Sequence, residues 1–115
     1  GCTRAPAEMP SGVDLYSTHC ASCHGLGGEG DGPVAGVMQI AVPNLRSLKA
    51  RSGGVFPSDA VTAYVDGRQL PVSHGDRQMP IWGDVLSPQE GRDTEEIVLR
   101  RITAIVGFIE ELQYR

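Results

Sequence analysis

Apolar positions recur at helical spacing in several stretches of the chain, and nowhere do they alternate with polar ones at the period of a half-buried strand. The firmest pattern is C-terminal. Val98, Ile102, Ile105, Ile109 and Leu112 repeat at steps of 4, 3, 4 and 3, which predicts a helix of about five turns with one apolar stripe. Asp93 and Glu96 stand at capping-box spacing, Thr94 is a rival cap, and Glu95 and Glu96 suit the positive end of the helix. A second helix is predicted from Ser11 or Gly12 through Val13, Leu15, Tyr16 and His19 into the cysteine pair Cys20 and Cys23, with Gly12, Tyr16 and Cys20 on one face. Asn44 suits the cap of a short helix through Leu45 and Leu48. Ser58 or Asp59 caps another, AVTAYV, closed by Gly67 in the left-handed position. Between these, residues 25–43 are too rich in glycine for a continuous helix and read as a loop that wraps something, with a short turn near Val34–Met38. Residues 68–91 read as a second long loop, in which Met79, Ile81 and Trp82 argue against disorder. Residues 1–10 read as an arm or tether, and 11–115 as one all-α domain.

Composition adds a deficit. Of the 115 residues 40% are apolar but only 5% aromatic, a thin supply for the core of a domain that buries about two thirds of its unfolded surface. A cofactor is one way to fill it. No apolar run approaches the roughly twenty residues a membrane-spanning helix needs. The formal charge is −4, the acids are spread along the chain, and the basic residues, all arginine except Lys49, form no patch. That argues against nucleic-acid binding and favours a protein partner with a basic docking surface.

The chemistry concentrates in Cys20-Ala21-Ser22-Cys23-His24. Two thiols three positions apart on a helical turn can add to the two vinyl groups on one haem edge, and the next residue then presents an imidazole to the iron. A thioredoxin-like redox pair would need a βαβ context that is absent, and a zinc site would need about four soft ligands better gathered than these three cysteines and three histidines. Iron held this way ordinarily takes a second axial ligand. Met79 suits the role best: it lies far enough beyond His24 for the chain to round a haem, and Pro80 holds it extended. The alternative for Met79 is a core methionine filling a gap. Met9 lies in the arm, Met38 in a turn, and His19 beside Cys20. His74 is near enough to Met79 to replace it if the loop opened. Arg46, Arg51, Tyr64, Arg77 and Trp82 are candidate donors to the haem carboxylates, with Trp82 also a lid over the haem.

With Gly12 and Tyr16, Cys20-x-x-Cys23-His24-Gly25, Gly30-Asp31-Gly32-Pro33, Pro43-Asn44-Leu45, Met79-Pro80 with Trp82, and Gly107-Phe108-Ile109 in this order, the chain resembles the class I single-haem cytochromes c of bacteria over residues 11–114. The resemblance implies an all-α fold of short helices and long loops around one covalently bound haem c, with iron between His24 and Met79. It also implies that the first and last helices cross at Gly12 and Tyr16. His24 should donate its other ring proton to a backbone carbonyl, which the family pattern implies to be that of Pro33. The function implied is one-electron transfer between respiratory redox partners, with no catalytic residue. A haem subunit of a membrane respiratory complex and a ligand-binding haem sensor are the alternatives. Covalent haem attachment implies, by the resemblance, an exported protein on the periplasmic side of a bacterial cell. Gly1-Cys2 resembles the processing junction of an exported lipoprotein, which implies an acylated Cys2, with a free thiol or an intermolecular disulfide as the alternatives.

Overall fold

The computed structural model describes residues 10–39, 41–69, 79–87 and 94–115, and among them it is helical, with no strand. Helix α1 (Gly12–His19) starts where Ser11 accepts from the Asp14 amide at 3.2 Å. It does not run on through the cysteines as expected. The chain kinks at Cys20 (φ −110°, ψ −33°) and restarts as α2 (Ala21–His24), with the Cys20 carbonyl accepting from the His24 amide at 2.9 Å.

The glycine-rich stretch then closes over α2. The amides of Gly30, Gly32 and Val34 donate to the carbonyls of His24, Cys23 and Ser22 at 2.8, 3.0 and 2.8 Å, so the returning chain satisfies the groups that a one-turn helix leaves bare. Gly32 is required there, because a Cβ would overlap the Ala21 and Ser22 carbonyls. The expected turn near Val34–Met38 is a 3-10 turn at Ala35–Val37.

Asn44 caps as expected, accepting from the Arg46 amide at 2.9 Å, although the first turn, Leu45–Ser47, is 3-10 before α3 (Leu48–Arg51). In α4 (Ser58–Asp66) Ser58 is already helical, so the cap position falls to Pro57, without a side-chain bond; Gly67 (φ 74°) ends the helix as predicted. The second long loop holds an unforeseen short helix, α5 (Trp82–Val85), preceded by Met79-Pro80. Four residues are too few for a periodic signal. The last helix, α6 (Thr94–Glu111), buries Val98, Ile102, Ile105, Val106 and Ile109, while Leu112 is half-buried just past its end. Asp93 lies outside the described residues.

The core is the α6 stripe packed against Leu15 and Tyr16 of α1, Val65 of α4, and Trp82 and Leu86 at α5, with Phe56 and Cys20 in the same cluster. Helices α1 and α6 cross so closely at Gly12 that a Cβ would overlap the Ala104 carbonyl, and the Tyr16 and Phe108 rings meet at 5.0 Å. Among the described residues no helix is long and apolar enough to cross a membrane.

Candidate haem site

Three residues of the five-residue motif converge because α2 is a single tight turn. Cys20 sits at its N-cap, Cys23 and His24 at its end, and the two thiols are free. Cys20 is buried and Cys23 half-buried. Burial first, and then the neighbouring Cys23, pushes the Cys20 thiol up to about 12, so it stays protonated at neutral pH.

His24 is buried, and its Nδ1 lies 3.4 Å from the carbonyl oxygen of Pro43. Burial holds the imidazole below its ordinary pKa, while the Pro43 carbonyl pulls weakly the other way. The ring is therefore neutral at physiological pH, the form that binds metals. An Nδ1–H donating to Pro43 leaves Nε2 as the free lone pair.

The acceptor at His24 is thus Pro43, and the expectation of Pro33 is corrected. The reason lies in the wrap: residues 30–34 are spent capping the carbonyls of α2, so Pro33 is an exposed residue alongside Ser22 and Cys23. Only after the 3-10 turn does the chain come back to the imidazole. The signal available in the sequence was Pro43-Asn44, a proline followed directly by a helix cap and so held in place.

The residues after Pro43 anchor it. The Asn44 carbonyl accepts from Arg51 Nη2 at 2.9 Å and Ser47 Oγ at 3.1 Å, and the Leu45 amide donates to the Gly28 carbonyl at 2.6 Å. The end of the chain straps this segment. Gln113 Nε2 donates to the carbonyls of Leu45 and Ile109 at 2.7 and 2.9 Å, while its Oε1 accepts from the Lys49 amide at 2.8 Å. Tyr114 lies under the Arg46 guanidinium at 4.8 Å and accepts from Asn44 Nδ2 at 3.2 Å. Sequence reading missed Gln113 and Tyr114 altogether, because nothing local marks a residue that acts on a segment over sixty positions away. On the other side of His24, the buried Tyr16 hydroxyl donates to the Gly25 carbonyl at 2.7 Å, and desolvation raises its pKa beyond the usual phenol range.

Met79 is half-buried against the same cluster that contains Cys20 and Trp82, followed by an exposed Pro80. Trp82 is buried, and its ring lies 5.2 Å from that of His19, the residue before Cys20. Among the described residues the indole Nε1 has no hydrogen-bond partner. Arg51 is engaged with the Asn44–Ser47 backbone and side chains, Arg46 with Gly27 and Tyr114, and Tyr64 is exposed on α4. Cys2, Met9, His74 and Arg77 lie outside the described residues.

These residues fit a covalently attached haem. The donor set pairs two free thiols on one turn with a neutral, oriented imidazole and a thioether in the same apolar cluster. A buried indole N–H without an acceptor suits a haem carboxylate, since an unpaired buried donor costs about 1–3 kcal/mol. A family model described as cytochrome C oxidase, cbb3-type, subunit III matches residues 7–94, well over half of the chain. No curated protein and no solved structure matches it. Domains of this family bind covalently attached haem c and serve haem-based electron transfer, typically as carriers rather than enzymes and usually outside the cytoplasm. The chain belongs to the cytochrome c oxidase, cbb3-type, subunit III family and is a class I c-type cytochrome.

Proposed function

We propose that the chain carries single electrons between respiratory redox partners on the periplasmic side of a bacterial membrane, through a haem c joined to Cys20 and Cys23 and ligated by His24 and Met79. The carrying observation is the buried His24 with Nδ1 on the Pro43 carbonyl, beside two free cysteines on the same turn. When bound, the haem supplies an iron that cycles between two valence states. His24 would hold the iron through Nε2 in a fixed tautomer, its basicity increased by the Pro43 carbonyl. Met79 would supply the second ligand, and a thioether there would raise the potential relative to a second imidazole. Trp82, whose buried N–H has no partner among the described residues, would donate it to a haem carboxylate. With His24 and Met79 both on the iron, a small exogenous ligand would have to displace a side chain in order to bind, which favours a carrier over a sensor.

The oxidised holoprotein should show the near-infrared sulfur-to-iron band, and Met79→Ala should abolish it. A band that survives the substitution, or rapid carbon monoxide binding by the reduced wild type, would reject this ligation.

The family match favours a second reading, a haem domain belonging to a membrane respiratory complex. Co-purification with a haem–copper oxidase from detergent-solubilised membranes separates the two. Acylation of Cys2 would serve either one as an anchor. Intact mass of the native protein tests it: a diacylglycerol-sized increment supports the anchor, and an unmodified thiol sinks it.

A further inference from the structure

Met79 lies in the chain between α4 and α5, and the ends of those two helices meet. Gly83, in the single turn of α5, comes so near the end of α4 that a Cβ would overlap the Asp66 carboxylate and the Arg68 side chain. Arg68 is the centre of this junction. Its Nε and Nη2 donate to Asp66 Oδ1 and Oδ2 at 2.6 and 3.1 Å, and its Nη1 and Nη2 donate to Glu95 Oε2 and Oε1 at 2.7 and 3.1 Å. One guanidinium thus holds two carboxylates, each through two bonds. It links the last residue of α4 to the first turn of α6, while Gly83 seats α5 against the same group.

Most surface ion pairs contribute little. This junction differs in three respects, although the Glu95 side chain is itself 65% exposed: the Arg68 and Asp66 side chains are only 23% and 16% exposed, the pairing is bidentate, and a glycine brings backbone directly against it. The Arg100–Glu96 pair offers the contrast, a single contact within α6 with side chains 66% and 60% exposed.

We propose that Arg68 is a positioning residue for the sixth iron ligand: with Asp66 and Glu95 it holds α5, which begins three residues after Met79, against the end of α4, and so controls how readily an external ligand displaces the thioether. The proposal rests on the assignment of Met79 as that ligand. Displacement requires Met79 to withdraw. Pro80 limits local backbone adjustment, so withdrawal is coupled to α5 lifting from Asp66 and Arg68. That opening is a local one whose free energy includes the Arg68 bonds.

The test is the rate at which imidazole displaces the near-infrared band of the oxidised holoprotein. Arg68→Ala should accelerate it about tenfold, the rate equivalent of one charge-assisted hydrogen bond lost at a partly exposed position. Arg68→Lys, which keeps the charge but lacks the fork, should fall between the two. Arg100→Ala should leave the rate unchanged. Ile102→Val, a core truncation, controls for general loss of stability: it should lower the melting temperature without faster imidazole binding. Should Arg68→Ala fail to fold, Arg68→Lys and Asp66→Asn carry the same measurement. An unchanged rate in the Arg68 variants, or a rate that follows melting temperature across all of them, overturns the proposal. If the wild type lacks the band, or Met79→Ala retains it, the ligand assignment itself fails and the proposal falls with it.

Discussion

His24 needs to be neutral and oriented to bind iron, and the two requirements have separate sources in burial and backbone hydrogen bonding. Burial lowers its pKa, the Pro43 carbonyl fixes the tautomer, and Tyr16 ties down the neighbouring Gly25 carbonyl. A group whose folded pKa lies below its unfolded value contributes stability above the unfolded value, and that contribution disappears as pH falls through the folded one. Iron ligation pushes His24 further in the same direction, since metal and proton compete for Nε2. Acid titration of the oxidised holoprotein should therefore convert low-spin to high-spin haem only with a midpoint below the ordinary 6.5 of histidine. Visible spectra against pH measure this, and a midpoint at or above that value would contradict the burial argument. The motif that names His24 was legible in the sequence. Its acceptor was not, because Pro33 and Pro43 both come later in glycine-bearing chain and only the course of the wrap decides between them.

Two crossings of elements set this geometry. At the first, α1 meets α6 with no room for a side chain on Gly12, and the obstacle is the Ala104 backbone carbonyl, which cannot rotate away. Gly12→Val should destabilise the holoprotein by about 3 kcal/mol or more, or prevent its accumulation, as overpacking against a fixed backbone does. Thermal unfolding and yield of haem-loaded protein are the readouts, and a melting temperature within a degree or two of wild type would refute the crossing. Helical spacing in the sequence already put Gly12 and Tyr16 on one face. At the second, Gln113 bridges the end of α6 to Leu45 and Lys49, and through that segment to Pro43. Gln113→Ala takes the partner from the exposed Lys49 amide, while the Leu45 and Ile109 carbonyls keep the Leu48 and Leu112 amides, at a cost of about 1 kcal/mol. It should also raise the reduction potential, because a looser Pro43 carbonyl makes His24 a weaker donor to ferric iron. Chemical denaturation and potentiometry together check this; lost stability with an unmoved potential would separate Gln113 from the haem. The short helix α5 and the kink at Cys20 are features of the same scale that periodicity could not supply, since four-residue elements are specified by packing and hydrogen bonding rather than by an amphipathic stripe.

For the molecule as a whole, charge is the property that acts at a distance. The chain carries a formal −4, and two ionised haem carboxylates would take the protein to about −6 before iron and ring are counted. Association with a basic redox partner should slow as ionic strength rises, because screening shortens the range of attraction. Stopped-flow electron transfer between low and physiological salt tests this, and a salt-independent rate would exclude electrostatic steering.

By itself the sequence determined the class of fold and the cofactor chemistry. Apolar spacing marks α1 and α6, cap residues mark α4, and five contiguous residues carry the motif proposed for haem attachment, because its two thiols and imidazole lie on one turn of chain. Tertiary structure alone decided which carbonyl orients His24, that Gln113 and Tyr114 brace it, and that Arg68 joins α4 to α6 against Gly83. These are contacts between residues distant along the chain, set by how helices cross and how loops spend their amides. No local pattern encodes such a pairing, because its energy exists only after the whole has folded.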